Sequence, residues 1–341
     1  MSNLIHTKKL LKQARNYKVE YGSKLANHLP MALIALYKMD ANENELDNFY
    51  NQYEIKLTTL NRDGIDVDKL FSKKKLISTL GNSDKFNTHL TYFENELNNL
   101  GIDKTLKIYL PILIPGLCAS AFHALIRLSY AIEIEDIDEI AFALAFWSSE
   151  YQYLGELSEI IENRNLLEIL TEMSNIAKDH KFQKGLIVDR MVEISNLESY
   201  KKASFQPKNI KLKDIADLAI TAFLGTSSFT ILHGVTACHA MRVILPFIEE
   251  EKTETAIRYY WQGFLTAYLS TGAIDIDIDT SKINYNRYSN FSDIRKNIVS
   301  EISDHDIKMV YTCISEYNIY GSKEYLEAAN KILTKTAINK G

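Results

Sequence analysis

Histidine is the residue type in this chain with the clearest potential for chemistry. Four of the eight histidines lie near the apolar faces of different predicted helices, namely His28, His123, His233 and His305. One histidine on an apolar face is ordinarily a hydrogen-bonded core residue. Several buried imidazoles without a shared partner are costly, however, whereas one metal ion satisfies them together. The group of four therefore predicts a metal site.

The remaining histidines have other interpretations. His6, His89 and His180 have polar sequence neighbours, so we expect them to be solvated at the surface. His239 is on the same predicted helix as His233 but faces elsewhere, towards the side that carries Arg242. We interpret His239 as a reserve ligand or a residue of the substrate pocket.

Lys308 is the least expected residue beside a metal site. It follows His305 by three positions, so the two side chains share a helix face, which continues through Thr312 and Glu316. A buried ammonium is costly, and a neighbouring metal cation makes it costlier. Carbamylation by CO2 removes this conflict because it turns the amine into an anionic oxygen ligand. The residues by themselves favour a simpler arrangement, in which Lys308 buries its aliphatic stem and its ammonium reaches solvent.

The strong local signatures of other enzyme classes are missing. The chain has no G-x-G-x-x-G opening a helix, no P-loop, no G-x-S-x-G elbow and no paired C-x-x-C. Its three cysteines, Cys118, Cys238 and Cys313, lie in apolar helical patterns. This odd number predicts small buried thiols in a reducing compartment rather than a disulfide framework.

Composition limits the fold that must position these residues. The 341 residues include only 13 glycines and 5 prolines, so turn chemistry is scarce and an all-α fold is predicted. Apolar residues recur at the helical period. The pattern predicts helices at 4–16, 27–39, 44–58, 84–100, 103–113, 117–133, 137–155, 165–177, 185–197, 211–224, 227–247, 252–271, 292–302, 304–319 and 322–336. Because no Pro- or Ser-rich linker divides the chain, we predict a single large domain, 1–341, with buried central helices.

Two features stand out from this helical pattern. Residues 274–279 alternate isoleucine with aspartate, which predicts a short extended stretch. The segments Ile108–Ile126 and Leu218–Met241 have no acidic or basic residue, and their length raises the question of a membrane span. Pro111 in the first and Gly225 in the second favour core helices instead.

The net charge and the N-terminal sequence indicate which binding partners and which compartment to expect. The chain has 39 basic and 44 acidic residues and a net charge of −5, so it has no basic excess for nucleic acid. Its first residues lack the apolar segment of a secretory signal. We therefore expect a cytoplasmic protein that binds neither nucleic acid nor membranes. The sequence indicates no particular oligomeric state.

Four short motifs resemble the questin oxidase family. They are Asn27-His-Leu, Phe122-His-Ala-Leu-Ile-Arg-Leu-Ser-Tyr-Ala-Ile-Glu133, Leu232-His-Gly-Val-Thr236 and His305-Asp-Ile-Lys-Met-Val310. They occur in the family's order within the segments 27–39, 117–133, 229–242 and 303–316. The resemblance extends from about Asn27 to Ala328, which is nearly the whole chain.

The resemblance implies an all-helical single domain that handles aromatic polyketides with dioxygen. The family includes fungal enzymes that oxidatively open anthraquinone rings, and a ring-cleaving relative holds non-haem iron with four histidines and a carbamylated lysine. Carried over motif by motif, these ligands are His28, His123, His233, His305 and Lys308. The expected cofactors are Fe(II) and O2, with a CO2-derived carbamate on Lys308. NADPH is a candidate electron source, although the sequence has no fingerprint for binding it.

The resemblance also implies supporting residues. Tyr130 and Glu133 match the family motif and, together with His239, are candidates for the pocket or for contacts with the metal ligands. His239 has no counterpart in the fungal pattern. Arg127 replaces a second histidine of that pattern and Ser129 replaces a glycine, which bears on the identity of the substrate more than on metal binding.

The activity expected from the resemblance is oxidative cleavage of an aromatic or quinone ring, by dioxygenation or by a Baeyer–Villiger-type oxygen insertion. The apolar helices would hold a flat aromatic substrate, with Trp147, Tyr151 and Tyr153 as candidate lining residues beside their simpler role in core packing. A metal-dependent phosphohydrolase remains an alternative because of the His305-Asp306 doublet, although carboxylates and basic groups are scarce near the four histidines. A non-catalytic helical binding protein with a degenerate site is the other alternative.

Overall fold

The computed structural model describes residues 2–62, 71–276, 278, 280, 283 and 289–340. The protein is 67% helical with two very small sheets, which confirms the predicted all-α class. The helices are α1 (Ser2–Ala14), α2 (Leu29–Lys38), α3 (Glu43–Glu54), α4 (Lys73–Ser78), α5 (Phe86–Leu113), α6 (His123–Glu133), α7 (Ile137–Ser149), α8 (Leu166–Ser174), α9 (Ile187–Asn196), α10 (Glu198–Lys201), α11 (Leu212–Thr226), α12 (Phe229–Ile244), α13 (Glu250–Leu269), α14 (Phe291–Ile298), α15 (Asp304–Tyr320) and α16 (Glu324–Lys340).

The strands are two residues long and lie in connecting segments. β1 (Glu20–Tyr21) pairs antiparallel with β2 (Leu25–Ala26), directly before α2. β3 (Ile160–Ile161) pairs parallel with β4 (Gln206–Pro207). Both pairs fix connections between helices rather than form a layer of the fold.

Four helices form the part of the core that carries the predicted ligands. In α2 every residue from Leu29 to Leu36 is buried, because this segment is apolar on all sides and neighbouring helices surround it. α2 packs against α6 and α15, and α12 packs against α6, α11 and α15. The motifs at the starts of α2, α6, α12 and α15 are thereby brought to one place in the core.

The helix predicted at 117–133 begins only at His123. Ser120, Ala121 and Phe122 have φ angles of 47°, 55° and 70°, which are left-handed and end any continuous helix. Ala119 therefore precedes α6, and the prediction that it shares a helix face with His123 is wrong. The turn is held in place by α13, because a Cβ on Gly263 would lie 2.8 Å from the Cys118 Sγ.

Other helix bounds differ from prediction for local reasons. The segments predicted as 84–100 and 103–113 run together as α5, with a kink at Gly101, whose φ of 76° is non-helical. α7 ends at Ser149, earlier than predicted, and the short helices α4 and α10 are not predicted at all. Of the stretch predicted to be extended, residues 274–276 and 278 are not in a strand, while Asp277 and Asp279 lie outside the described residues.

The two uncharged segments belong to the helical core. Residues 108–126 include the end of α5 and the start of α6, and residues 218–241 include parts of α11 and α12. Within the described part of the chain, every helix is too short or too polar to cross a membrane. Cys118, Cys238 and Cys313 are free and buried, as predicted.

Candidate metal centre

Four helix starts bring the predicted histidines together. His28 is the N-cap of α2, His123 is the first residue of α6 and His305 is the second residue of α15, while His233 lies one turn into α12. The His28 ring centroid is 4.5 Å from those of His123 and His305, and the rings of His123 and His233 are 4.8 Å apart. The cluster is thus a continuous group of imidazoles in the core.

Each of the four rings is held through its Nδ1 by an oxygen atom. His28 Nδ1 donates to Asp304 Oδ2 at 3.1 Å, and His305 Nδ1 donates to the other oxygen of the same carboxylate. His123 Nδ1 donates to the Ser120 carbonyl, and His233 Nδ1 donates to the Phe229 carbonyl at 2.7 Å. Because these bonds place the proton on Nδ1, the lone pair of each ring is on Nε2.

Potential ligand atoms of the four rings lie close together. His305 Nε2 lies 3.3 Å from His233 Nε2, and potential ligand atoms of His28, His123 and His305 all lie within 4.8 Å of one another. The Nε2 atoms of His28 and His123 are buried and have no hydrogen-bond partner within the described chain. Two nitrogens that bind one ion at about 2.1 Å lie on the order of 3 Å apart, as the Nε2 atoms of His233 and His305 do, so the imidazoles form a candidate metal site.

Electrostatics keeps these rings in the form that binds metal. Burial and the Lys308 charge lower the pKa of His28 to about 3, and burial lowers the pKa values of His123 and His233 well below the usual value. The pKa of His305 is lowered by the same two causes. All four are neutral at neutral pH, and neutral imidazole is the ligand form.

Asp304 has the opposite charge state. Burial by itself would raise the pKa of its carboxyl, but the bonds to His28 and His305 hold it well below its usual range. Asp304 is therefore an anion that accepts from two rings and orients both. Carboxylates that hold the Nδ1 of a ligand histidine are a common feature of metal sites.

Lys308 lies inside the core, so the expectation that its ammonium reaches solvent is wrong. The residue is 2% exposed, and burial lowers the pKa of its amine to about 8. Its charge lowers the pKa of all four imidazoles. Asp304, the carboxylate that favours its charged form, is already bonded to His28 and His305.

A cavity of about 500 Å³ opens onto the imidazoles. Its wall includes the four histidines and the apolar side chains of Leu186, Ile187 and Val188. Phe229 also lines the cavity, with its ring 4.7 Å from that of His233 and 4.6 Å from that of His305. Volume and lining suit a flat aromatic molecule.

The aromatic residues predicted for this pocket lie elsewhere. Trp147 is fully buried and donates to the Gly116 carbonyl, and the Tyr151 ring packs against the same glycine. Tyr153 lines a different cavity of about 650 Å³. All three belong to packing around the end of α7, so Phe229 is the aromatic residue that the sequence interpretation missed.

Comparison with known families agrees with the motifs. A protein family described as questin oxidase-like matches residues 25–313, which include all four histidines and Lys308. The chain belongs to the questin oxidase-like family. The family implies an oxygenase-type enzyme. Among curated proteins, no match to the sequence was found.

A second buried polar cluster in this questin oxidase-like protein contains the three supporting candidates. His239 is fully buried, with its Nδ1 2.7 Å from Glu316 Oε1 and its Nε2 3.5 Å from Glu133 Oε1. The Tyr130 ring is 6.1 Å from the His239 ring. Both ring nitrogens of His239 therefore face carboxylates of this second cluster, and its role as a reserve ligand or pocket residue stays a prediction.

His89, which was expected at the surface, is fully buried in α5. Its Nε2 lies 2.9 Å from the Thr79 hydroxyl, and burial lowers its pKa to about 4. The signal was available, because Phe86, Leu90 and Phe93 form an apolar stripe around it. His6 and His180 are partly exposed, and each contacts a carboxylate.

The residue with the largest unpredicted role is Asp304. It directly precedes His305 in the sequence and is not among the predicted site residues. A carboxylate next to a candidate ligand histidine is a signal for a group that orients that ligand. Its second bond, to His28, joins positions 276 residues apart and could not be predicted from spacing.

Proposed function

We propose that this protein is a non-haem iron oxygenase that uses O2 to cleave the ring of an aromatic or quinone compound. The iron ligands are His28, His123, His233 and His305, with Lys308 as a fifth ligand in its carbamylated form. The observation that carries the proposal is the arrangement of the imidazoles, in which every Nδ1 bonds to an oxygen and potential ligand atoms of the four rings lie close together.

The donor set suits this metal. Neutral imidazoles with one carboxylate-like oxygen favour Fe(II) over metals that require thiolates. When bound, the iron supplies the redox chemistry by which dioxygen reacts with the ring, through dioxygenation or a Baeyer–Villiger-type insertion. Family membership supports the oxygenase class.

The modification of Lys308 is favoured by its surroundings. The amine attacks CO2, a nitrogen–carbon bond forms, and one proton leaves to give an uncharged nitrogen and a carboxylate. Only the neutral amine has the lone pair for this attack, and burial raises the neutral fraction by lowering the pKa to about 8. The carbamate removes a cation from beside four imidazoles and contributes an anionic oxygen.

The protein's own side chains position the substrate. Leu186, Ile187 and Val188 form an apolar wall that holds a flat ring and excludes water from it. Phe229 provides a ring face at the imidazoles. Lys24 and Arg190, which also line the cavity, provide positive charge for an acidic substituent of the ring.

Elemental analysis tests the metal site. Protein purified under reducing conditions with bicarbonate is expected to contain about one iron per chain. His123→Ala is expected to lose it, whereas His89→Ala, which removes a buried imidazole outside the cluster, is expected to keep it. Absence of metal from the wild type under these conditions would overturn the proposal.

Oxygen uptake with hydroxyanthraquinones, with and without NADPH, tests the reaction. Uptake is expected with wild type and His89→Ala and not with His123→Ala. Stoichiometric zinc with hydrolysis of phosphate esters would indicate the phosphohydrolase alternative. Binding of the aromatic compound without turnover in iron-loaded protein would indicate the binding protein.

A further inference from the structure

A serine and a glutamate form a hydrogen-bonded pair at the cavity beside the candidate metal centre. Ser120 lines the cavity of about 500 Å³, as do Ala121 and His123. The Ser120 hydroxyl donates to Glu20 Oε1 at 3.0 Å, and Glu20 lies in β1. Glu20 is not among the described residues that line the cavity. Ser120 is therefore the member of the pair that a bound molecule meets.

The polar groups of Ser120 have separate partners. Its carbonyl accepts from His123 Nδ1 and so orients a candidate metal ligand. Its hydroxyl proton is held by Glu20, which leaves the lone pairs of Oγ for a bound molecule. The backbone holds this residue at a left-handed φ of 47°, a costly conformation that is typical of functional sites. A molecule that bonds to the Ser120 Oγ must therefore bring a hydrogen-bond donor.

The charges that line the cavity indicate which kind of donor fits. Lys24 and Arg190 carry positive charge there, and a negative charge on a bound molecule is attracted to both. A phenolic hydroxyl is a donor that becomes an anion when it loses its proton. An aromatic amine forms no such anion near neutral pH. The lining therefore favours a phenol among the donors that a flat aromatic ring can carry.

The carboxylate of Glu20 is a stronger base than that of an exposed glutamate. Burial and the charge of Glu150 raise the pKa of Glu20 from 4.5 to about 7. The Ser120 hydrogen bond and the Lys24 charge oppose this change. Glu150, the C-cap of α7, has its own pKa raised by burial. A phenol has an ordinary pKa of about 10, so a carboxylate with a raised pKa takes its proton more readily than an ordinary one.

We propose that Ser120 and Glu20 form a base that removes the proton from a phenolic hydroxyl of the aromatic substrate beside His123. This inference rests on the proposed oxygenase function, and it adds that the substrate is a phenol bound with its hydroxyl at the candidate metal centre. Loss of the proton makes the ring richer in electrons and hence easier to oxidise. Lys24 and Arg190 stabilise the phenolate by their positive charge.

One proton leaves the substrate in this step. The O–H bond of the phenol breaks while a new O–H bond forms at Ser120 Oγ, and the proton that Ser120 held moves to the Glu20 carboxylate. The products are a phenolate, a serine hydroxyl and a neutral carboxylic acid, and no group is oxidised or reduced. Glu20 is half-buried, so it returns its proton to solvent after turnover. Glu20 thus acts on the substrate through Ser120.

Calorimetric binding to the metal-free protein tests the site without any activity. Wild type is expected to bind 2-hydroxyanthraquinone about fivefold more tightly than 2-methoxyanthraquinone, because only the hydroxyl compound donates to Ser120. Ser120→Ala is expected to lose this preference, and the turn accommodates alanine, since Ala121 has a φ of 55°. Ser23→Ala, at an exposed position outside the cavity lining, is the matched control and should keep the preference. Equal affinities in wild type, or an unchanged preference in Ser120→Ala, would overturn the proposal.

The pH profile of oxygen uptake tests Glu20. In wild type, kcat/KM for 2-hydroxyanthraquinone is expected to rise with pH through about 7, because the ionised carboxylate is the base and its pKa has that value. Glu20→Gln is expected to lower kcat by at least about tenfold and to abolish this rise, with the iron content unchanged. Glu150→Gln is expected to keep the plateau rate and to move the rise to lower pH, because loss of its negative charge lowers the pKa of Glu20.

The outcomes separate this inference from the oxygenase proposal. A wild type that prefers the hydroxyl compound but has neither iron nor oxygen uptake would overturn the oxygenase alone. Iron and oxygen uptake, with a preference that Ser120→Ala does not change, would overturn the phenol site alone. A rate and a pH profile of Glu20→Gln equal to those of wild type would overturn the role of Glu20 as the base.

Discussion

At the scale of single residues, the candidate site depends on groups placed in unfavourable states. Lys308 is a buried amine beside four imidazoles, and Ser120–Phe122 is a run of left-handed residues directly before a ligand histidine. Each left-handed residue other than glycine costs about 1 kcal/mol or more. Such states persist because the surrounding helices fix them, and they are typical of functional sites.

Replacing Lys308 tests its burial directly. Lys308→Met keeps the apolar stem and removes the amine, so the metal-free variant is expected to be more stable than metal-free wild type near neutral pH. A pKa lowered from 10.5 to about 8 corresponds to a gain on the order of 3 kcal/mol. Urea unfolding of the two metal-free proteins measures this gain in the free energy of unfolding. Elemental analysis is expected to show loss of iron, and a stability unchanged from wild type would indicate that the ammonium is solvated.

The strained turn before α6 has its own test. Ala121→Gly relieves a φ of 55°, which offsets the chain entropy that glycine adds to the unfolded state, so stability is expected to change by less than about 0.5 kcal/mol. Ala143→Gly, in the interior of α7, is expected to lose about 1 kcal/mol or more. Thermal unfolding of both variants measures the two losses of stability. Equal losses would contradict the interpretation that the turn is strained.

At the scale of elements, three helices begin at the candidate metal centre. The N-termini of α2, α6 and α15 carry His28, His123 and His305, and their dipoles add positive potential at the cluster. This potential favours neutral imidazoles and any anionic oxygen bound among them. The same helix starts that position the ligands therefore also select their charge.

The first turn of α12 contributes both a carbonyl and a ring. The Phe229 carbonyl accepts from His233, while the side chain, 56% exposed, lies over two imidazoles. Phe229→Ala is expected to raise the KM of the aromatic substrate several-fold with less than about 1 kcal/mol lost in stability, because the ring is largely exposed. Steady-state oxygen uptake measures this. Ile5→Ala, at an exposed position outside the cavity lining, is the control. Equal KM values in both variants would contradict a contact between the Phe229 ring and the substrate.

At the scale of the whole molecule, the buried charges make stability depend on pH. The pKa of His239 is raised from 6.5 to about 9, so its contribution is complete below about pH 6.5 and is lost as pH rises through 9. The expected contribution is on the order of 3 kcal/mol. The difference in unfolding free energy between wild type and His239→Gln should therefore shrink between pH 6.5 and 9.5. A difference that grows with pH would show that the ring is neutral.

The fold class and the grouping of the four histidines could be predicted because both depend on local patterns. Scarce glycine and proline with a helical apolar period predict an all-α chain, and histidines on apolar faces of four helices predict their own burial. The burial of Lys308 was harder to predict, because its spacing of three residues from His305 is also compatible with an exposed ammonium. Only packing of α15 against α2 and α12 shows that no path to solvent remains for it.

What could not be predicted depends on contacts between distant segments. The break at Ser120–Phe122 has no glycine to signal it, since its left-handed angles are imposed by packing against α13. The burial of His89 was not predicted, because its polar neighbours in sequence face away from the apolar stripe that buries it. The pairing of His239 with Glu133 and Glu316 joins three helices, and spacing along one helix contains no information about the other two.

The bond between His28 and Asp304 joins residues 276 positions apart, and this has a consequence for biosynthesis. At about 5–20 residues per second, the ribosome needs roughly 15–55 seconds to add the segment between them. During that time the His28 imidazole lacks the carboxylate that orients it, and His305 is the last of the four histidines to be added. The candidate metal centre is therefore complete only after Asp304 and His305 have been added to the chain.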